Sequence, residues 1–171
     1  YLTGYQDITL DEIKNFRQLD SKTAGHPEYG HAGGIETTTG PLGQGIANAV
    51  GLALAAKLQQ AELGKELINH KIYTIVSDGD LMEGISQEVI SFAGNLKLDN
   101  LIVLYDDNQI TIDGPTHLAF NDDTLQRFQA SHWLTITIDG HDEAAIRSAL
   151  QQAQNASQPV MIACKTKIGF G

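Results

Sequence analysis

Two acidic turns carry the chemistry this chain offers, Ser77-Asp78-Gly79 and Asp106-Asp107-Asn108. A carboxylate at Asp78 and an amide oxygen at Asn108 are hard oxygen donors, the ligand type that magnesium and calcium take. Gly79 has no Cβ, so backbone can approach whatever such a cation holds. A phosphate group bridged by the metal fits best. A plainer reading competes, in which Asp78 caps a helix and Asn108 fills a turn. The two readings differ in what the fold must do with the turns.

The elements around them favour a shared edge. Ile72 to Val76 and Leu101 to Tyr105 are nearly continuous apolar runs, the pattern of buried strands. Between them Ile85, Val89, Phe92, Ala93 and Leu96 recur at helical spacing. A strand-helix-strand crossover of this length makes the strands parallel, so their C-terminal ends lie side by side. Open α/β sheets bind ligands along that edge. Asp78 and Asn108 are therefore expected as neighbours there.

Farther along, Leu134 to Ile138 alternates as a half-buried strand, and Pro159 leads into a strand at Val160 to Cys164. Between them Asp142 can cap a helix whose Ala145, Ile146, Ala149, Leu150 and Ala153 share a face. Thr111 to Asn121 reads as an irregular loop, followed by a short helix near Asp122 to Ala130. Four strands separated by helices predict an α/β fold, a doubly wound parallel sheet with helices on both faces. Residues 1–171 are expected to form one domain.

Upstream, Thr9 and Glu12 have capping-box spacing and predict a helix to about Leu19. Ser21 to Gly45 is a long glycine-rich segment without periodicity, and such loops are usually functional or disordered. It ends in Gly40-Pro41-Leu42-Gly43-Gln44-Gly45 and leads into a helix over Ile46 to Leu63, with Ile46, Val50, Leu54 and Leu58 four apart. A glycine-rich approach to a helix N-terminus offers free N–H groups to phosphate. Its order is not the dinucleotide fingerprint G-x-G-x-x-G, which disfavours a nucleotide-binding Rossmann domain. Within this loop His26 sits between Gly25 and Pro27, in a rigid turn from which it could meet a sugar hydroxyl or shuttle a proton. A solvated loop histidine is the plain alternative, and it is the reading adopted for His31, His70, His117, His132 and His141.

Composition narrows the partners. Of 171 residues 42% are hydrophobic, and 11 basic against 21 acidic residues give a formal charge of −10. That field opposes nucleic acid and anionic membranes, so an anionic ligand needs a cation or helix N-termini to hold it. The longest strongly apolar run, Ala49 to Ala56, is too short to span a bilayer, and no cationic leader precedes an apolar segment. A soluble, cytoplasmic protein is expected. The lone Cys164 can form no internal disulfide and reads as an inert core thiol. The chain starts at Tyr1 without methionine and stops at Gly169-Phe170-Gly171, so a fragment of a longer protein is expected.

At this point the words of the sequence resemble a family. FRQLDSKTAGHPE at Phe16 to Glu28, GIETTTGPLGQGIANAVG at Gly34 to Gly51, DGDLMEGISQEV at Asp78 to Val89, YDDNQITIDG at Tyr105 to Gly114 and CKTKIGFG at Cys164 to Gly171 stand in the order found in the first, diphosphate-binding domain of transketolase. The resemblance implies the thiamine diphosphate-binding fold and thiamine diphosphate as cofactor, with Mg2+ or Ca2+. It implies that Asp78, Asn108 and the backbone carbonyl of Ile110 hold the metal. Gly79 and Asn108 would also touch the cofactor, with Gly40, Pro41 and Leu42 along its thiazolium and diphosphate portion. His26 would contact the sugar substrate, and Glu83 would lie at the interface of a homodimer. The implied activity is transfer of a two-carbon ketol unit between sugar phosphates in the pentose phosphate pathway.

One departure stands out: members usually have glycine before the metal-binding aspartate, where this chain has Ser77. Serine there is costly if φ must be positive and mild if φ is negative. The cofactor-activating carboxylate and further substrate-binding residues come, in the family, from other parts of a longer chain, so these 171 residues alone are expected to be inactive. Other thiamine diphosphate enzymes, such as deoxyxylulose-phosphate synthase, a dihydroxyacetone synthase or a two-piece transketolase subunit, share the metal motif. The words GHPE and GPLGQG favour transketolase among them. A non-catalytic paralogue or interaction module, disabled at Ser77, is the alternative of a different class.

Overall fold

The computed structural model describes residues 1–170; Gly171, the last letter of the CKTKIGFG word, lies outside the described residues. The chain divides into two compact units, Tyr1–Pro41 and Leu42–Gly171.

In the first unit the only helix is α1, Leu10–Lys14. Thr9 caps it as expected, its side chain accepting from the Glu12 N–H at 3.2 Å. The helix stops well short of Leu19 because Arg17, at φ +62°, leaves the helical region and gives its N–H to the Thr23 carbonyl at 2.9 Å; at the other end Glu12 does not complete a capping box. Its carboxylate instead accepts from the Ser21 hydroxyl at 3.1 Å and the Lys22 N–H at 2.8 Å, pinning the following loop. Asp7 does the same farther along, accepting from the Gly33 N–H at 2.6 Å and from Lys22 Nζ at 3.1 Å. The glycine-rich segment is thus organised by side-chain carboxylates, not by backbone periodicity.

The second unit is built on a four-stranded parallel sheet. Its strands are β1 (Ile72–Ser77), β2 (Leu101–Asp107), β5 (Leu134–Asp139) and β6 (Val160–Lys165), in spatial order β1-β2-β6-β5. A separate small hairpin joins β3 (Ile110–Thr111) to β4 (Gly114–Pro115), with a 3₁₀ turn at Thr116–Leu118, where an irregular loop was expected. The helices are α2 (Gln44–Leu63), α3 (Asp78–Met82), α4 (Gly84–Asn95), α5 (Thr124–Ala130) and α6 (Glu143–Gln154). Among the described residues no helix is long and apolar enough to cross a membrane.

Side chains alternate across the sheet and feed two cores. Val76, Leu101, Val103, Tyr105, Met161 and Ala163 meet Ile46, Ala53, Leu81, Ile90 and Phe128 from the helices on one face. Ile102, Val160 and Ile162 meet Ala149 and Ala153 of α6 on the other. Each fully buried Val, Ile or Leu contributes about 1.5–3 kcal/mol of transfer free energy, so β2 and β6 anchor the unit. Helices on both faces of a parallel sheet match the expected architecture.

Two helical faces differ from the expected ones. On α2 the buried residues are Ile46, Ala49, Val50, Ala53 and Ala56, while Leu58 is 63% exposed. A spacing of four overshoots the helical turn by about 40° per step, so three steps carry Leu58 off the packed stripe. On α4 the buried stripe is Ser86, Ile90, Ala93 and Gly94, with Phe92 and Leu96 exposed. The cause is close packing: a Cβ on Gly94 would stand 1.7 Å from the Ser131 carbonyl oxygen. Trp133 lies beside it, donating its indole N–H to the Ile90 carbonyl at 2.9 Å and meeting Phe128 edge-on at 5.0 Å between ring centroids. That approach turns the small residues of α4 inward. The expected single crossover helix is also broken, at Glu83, whose extended backbone separates α3 from α4.

Candidate functional site

Parallel pairing aligns the ends of β1 and β2, with Ser77 opposite Asp106. The turns that follow are linked by Asp78. Its carboxylate accepts from the Tyr105 hydroxyl at 2.5 Å and from the Gln109 N–H at 3.2 Å, so it grips both the strand and the residue after Asn108. Gln109 takes φ +63°, an unusual value for a residue with a side chain, and that strain sits at the tip of the turn.

Asn108 does not contact Asp78 by hydrogen bond. Its Nδ2 donates to Asp106 at 2.9 Å and its Oδ1 accepts from the Ile110 N–H at 3.0 Å. An amide oxygen has two lone pairs, so one remains. Ile110 pairs in the hairpin with Pro115, which has no N–H, and that pairing takes nothing from the Ile110 carbonyl. Oxygens in these turns thus keep lone pairs that no donor among the described residues takes up: one at each Asp78 oxygen, one at Asn108 Oδ1 and those of the Ile110 carbonyl. Among the described residues no group of three or more His, Cys, Asp or Glu could hold a metal; the oxygen set here contains one carboxylate.

Charge balance favours a cation at this edge. Asp107 is compensated by Lys165, and Asp106 accepts from the Thr166 hydroxyl. Asp78 is 6% exposed and has hydrogen bonds but no basic partner among the described residues. Burial pushes its carboxyl above the ordinary range; the Tyr105 hydroxyl pulls it back, and the charges of Asp107 and Asp106 raise it again. Burial first, then the bond to Asp78, keeps the Tyr105 hydroxyl protonated far above the usual tyrosine range. A buried carboxylate without a counter-charge is costly, and a divalent ion would remove the cost. The residues present thus fit a magnesium or calcium ion.

A cavity of about 520 Å3 opens beside these turns, lined by Leu42, Ser77, Gly79, Glu83, Asn108 and Ile110 among others. Five of the residues expected at a site thus share one wall. Gly40 and Pro41 end the first unit. Gly40, at φ +132°, packs on the expected sugar-contacting residue: a Cβ there would lie 2.8 Å from His26 Cγ. His26 lines a hollow of about 640 Å3 in that unit, together with Arg17 and His31.

Ser77 takes φ −115°, so its side chain is not strained. Its N–H and hydroxyl both donate to Asp80 Oδ2, at 2.9 and 3.0 Å, while Asp80 Oδ1 accepts from the Gly43 N–H at 3.1 Å. Asp80 therefore ties the start of α2 to the end of β1. Asp80, Tyr105 and Gln109 were not foreseen. For Asp80 a signal existed: Ser77-x-x-Asp80 has the spacing of a helix-capping pair. For Tyr105 none did, since an aromatic residue in an apolar run reads as core.

The family model described as "Transketolase, thiamine diphosphate binding domain" matches residues 1–171. The chain is 57% identical over 171 residues to the transketolase of Rhodobacter capsulatus, covering 100% of this chain and 25% of that protein. It is 54% identical over 176 residues to transketolase 1 of Escherichia coli K12, covering 100% and 26%. Among solved structures, the transketolase of Leishmania mexicana superimposes with TM-score 0.93 at 44% identity, over 99% of this chain and 26% of that one. That of Campylobacter jejuni gives 0.89 at 53% identity, over 94% and 25%. The chain spans about a quarter of the length of the curated relatives it matches.

Proposed function

The chain belongs to the transketolase thiamine diphosphate-binding domain family, and from that premise we propose that it forms most of the diphosphate-binding domain of a longer transketolase. That enzyme would move a two-carbon ketol unit from a ketose phosphate to an aldose phosphate, in the pentose phosphate pathway and in the cytoplasm. The observation that carries the reading is Asp78: a buried carboxylate without a counter-charge, on the same sheet edge as Asn108 and Ile110 and beside the cavity.

In this reading Asp78, Asn108 Oδ1 and the Ile110 carbonyl hold Mg2+ or Ca2+ against the diphosphate of thiamine diphosphate. When bound, the cofactor supplies the thiazolium carbon that carries the two-carbon unit between sugars. This chain's own residues bind, orient and shield. Gly79 and Leu42 form cavity wall, and Gly79 admits close approach because it bears no side chain. Asp80 fixes the N-terminus of α2 with respect to β1. For the first unit, the family's roles fall on Gly40 and Pro41 toward the cofactor and on His26 toward the hydroxyls of the sugar. Glu83 would stand at the interface of a homodimer.

The unstrained φ of Ser77 favours a working cofactor site over a disabled paralogue. Calorimetric titration of thiamine diphosphate with magnesium into the full-length protein tests this: saturable binding is expected. Absence of heat at any metal concentration would leave the fold as a non-catalytic module. The isolated 171 residues should show no ketol transfer.

A further inference from the structure

At the end of the sheet opposite the acidic turns, where β1 and β2 begin, lies a hollow of about 580 Å3. Its wall carries Lys57 from α2, Lys65, His70 and Lys71 from the segment leading to β1, and Asp99 and Asn100 from the turn before β2. In a chain of formal charge −10, three ammonium groups here face one carboxylate. Asp99 pairs with Lys57, and its backbone carbonyl accepts from Lys71 Nζ at 2.8 Å. Burial pulls the Lys71 ammonium below the ordinary lysine range; Asp99 restores part of this, and Lys57 and Lys65 lower it again. The cations repel one another across the hollow, and an anion between them would relieve that repulsion.

A second observation points the same way. Asn100 is 6% exposed and donates Nδ2 to the Ala53 carbonyl at 2.9 Å. Its Oδ1 is the one buried side-chain polar atom without a partner among the described residues. Buried acceptors are rarely left unmet, and this one belongs to the wall of the same hollow. It asks for a ligand that brings a hydrogen-bond donor as well as negative charge.

We propose that this hollow is a second binding site, for a small phosphate ester that carries a hydroxyl. Lys57, Lys65 and Lys71 take the phosphate, and Asn100 Oδ1 accepts from the hydroxyl. The site lies a strand's length, about 20 Å, from the acidic turns and shares no residue with them.

The test uses the full-length protein saturated with magnesium and thiamine diphosphate. It is titrated calorimetrically with glycerol 3-phosphate, which has no carbonyl to be turned over, and separately with propyl phosphate, which has the same carbon chain without the hydroxyls. Saturable binding is expected, with glycerol 3-phosphate about threefold tighter because only it brings a hydroxyl to Asn100. Lys65→Gln, a change at an exposed side chain, should weaken the ester about fivefold, and Lys65→Gln with Lys71→Gln should abolish binding. Asp78→Asn, titrated without cofactor, should leave the ester's affinity unchanged, which separates this site from the acidic edge and from the fate of the cofactor reading. No saturable heat, or an affinity indifferent to Lys65→Gln, would overturn the site. Equal affinity for glycerol 3-phosphate and propyl phosphate would overturn the part given to Asn100.

Discussion

The two ends of the sheet face opposite electrostatic problems. At the carboxyl end, strand termini deliver Asp78, Asp106 and Asp107, and Lys165 and Thr166 answer two of the three. At the amino end, three lysines meet one aspartate. One end carries an unmatched buried anion and the other unmatched cations, although both belong to the same small sheet. A net charge of −10 says nothing of this separation. The difference teaches that local sign, set by which residues the strand ends and helix ends deliver, decides what each edge can hold.

The sharpest way to break the contrast is at Asp78. Asp78→Asn should lower the affinity of the full-length protein for magnesium-dependent thiamine diphosphate by about 100-fold or more, read by calorimetry, while the chain still folds. The same variant tests the unmatched charge by pH. Burial holds the Asp78 pKa above its ordinary value of 3.8, so the folded chain keeps this proton to higher pH than the unfolded chain. Without metal, ionised Asp78 therefore weighs fully against the fold above its raised pKa, and that penalty fades as pH falls toward the ordinary value. Urea unfolding between about pH 7 and about pH 4 should show the unaltered chain gaining on Asp78→Asn as pH drops. A constant gap would show that the carboxylate is already compensated.

The next largest effect concerns how α2 meets each end. Gly43, at φ +79°, has no room for a side chain: a Cβ would stand 2.8 Å from Ile85 and 2.9 Å from Glu83. Gly43→Ala should cost about 2 kcal/mol or more in urea unfolding and disturb the Asp80 tie. Gly51, inside the same helix, faces open space, and Gly51→Ala should stabilise by about 0.5–1 kcal/mol. Equal responses would show that the helix start is not clamped. The smallest effect is expected from Ser77→Gly, which removes one hydroxyl bond to Asp80. It should change stability by less than about 1 kcal/mol and cofactor affinity by less than about threefold; a large gain in affinity would restore the disabled-site reading.

The sheet was legible because β2 and β6 are buried on both faces and read as unbroken apolar runs. The placement of Asp78 and Asn108 on one edge followed from parallel crossover geometry, which needs no side-chain detail. What escaped was set by contacts between segments distant in sequence. The inward face of α4 depends on Gly94 meeting the Ser131 carbonyl, and nothing in the helical period announces that approach. The early stop of α1 depends on the left-handed turn at Arg17, whose N–H goes to the Thr23 carbonyl of the following loop. Likewise the hydrogen bonds of Tyr105 and Gln109 to Asp78 arise only once two strands are side by side.

Trp133 offers a spectroscopic handle on this arrangement. It is the single tryptophan of the chain, 3% exposed, at the amino end of β5 and away from the acidic turns. Its fluorescence should be blue-shifted in the native chain and move to the red when α4, α5 and the sheet separate. Filling the edge near Asp78 should leave that colour untouched, so one optical channel can follow unfolding while ligands are titrated at will.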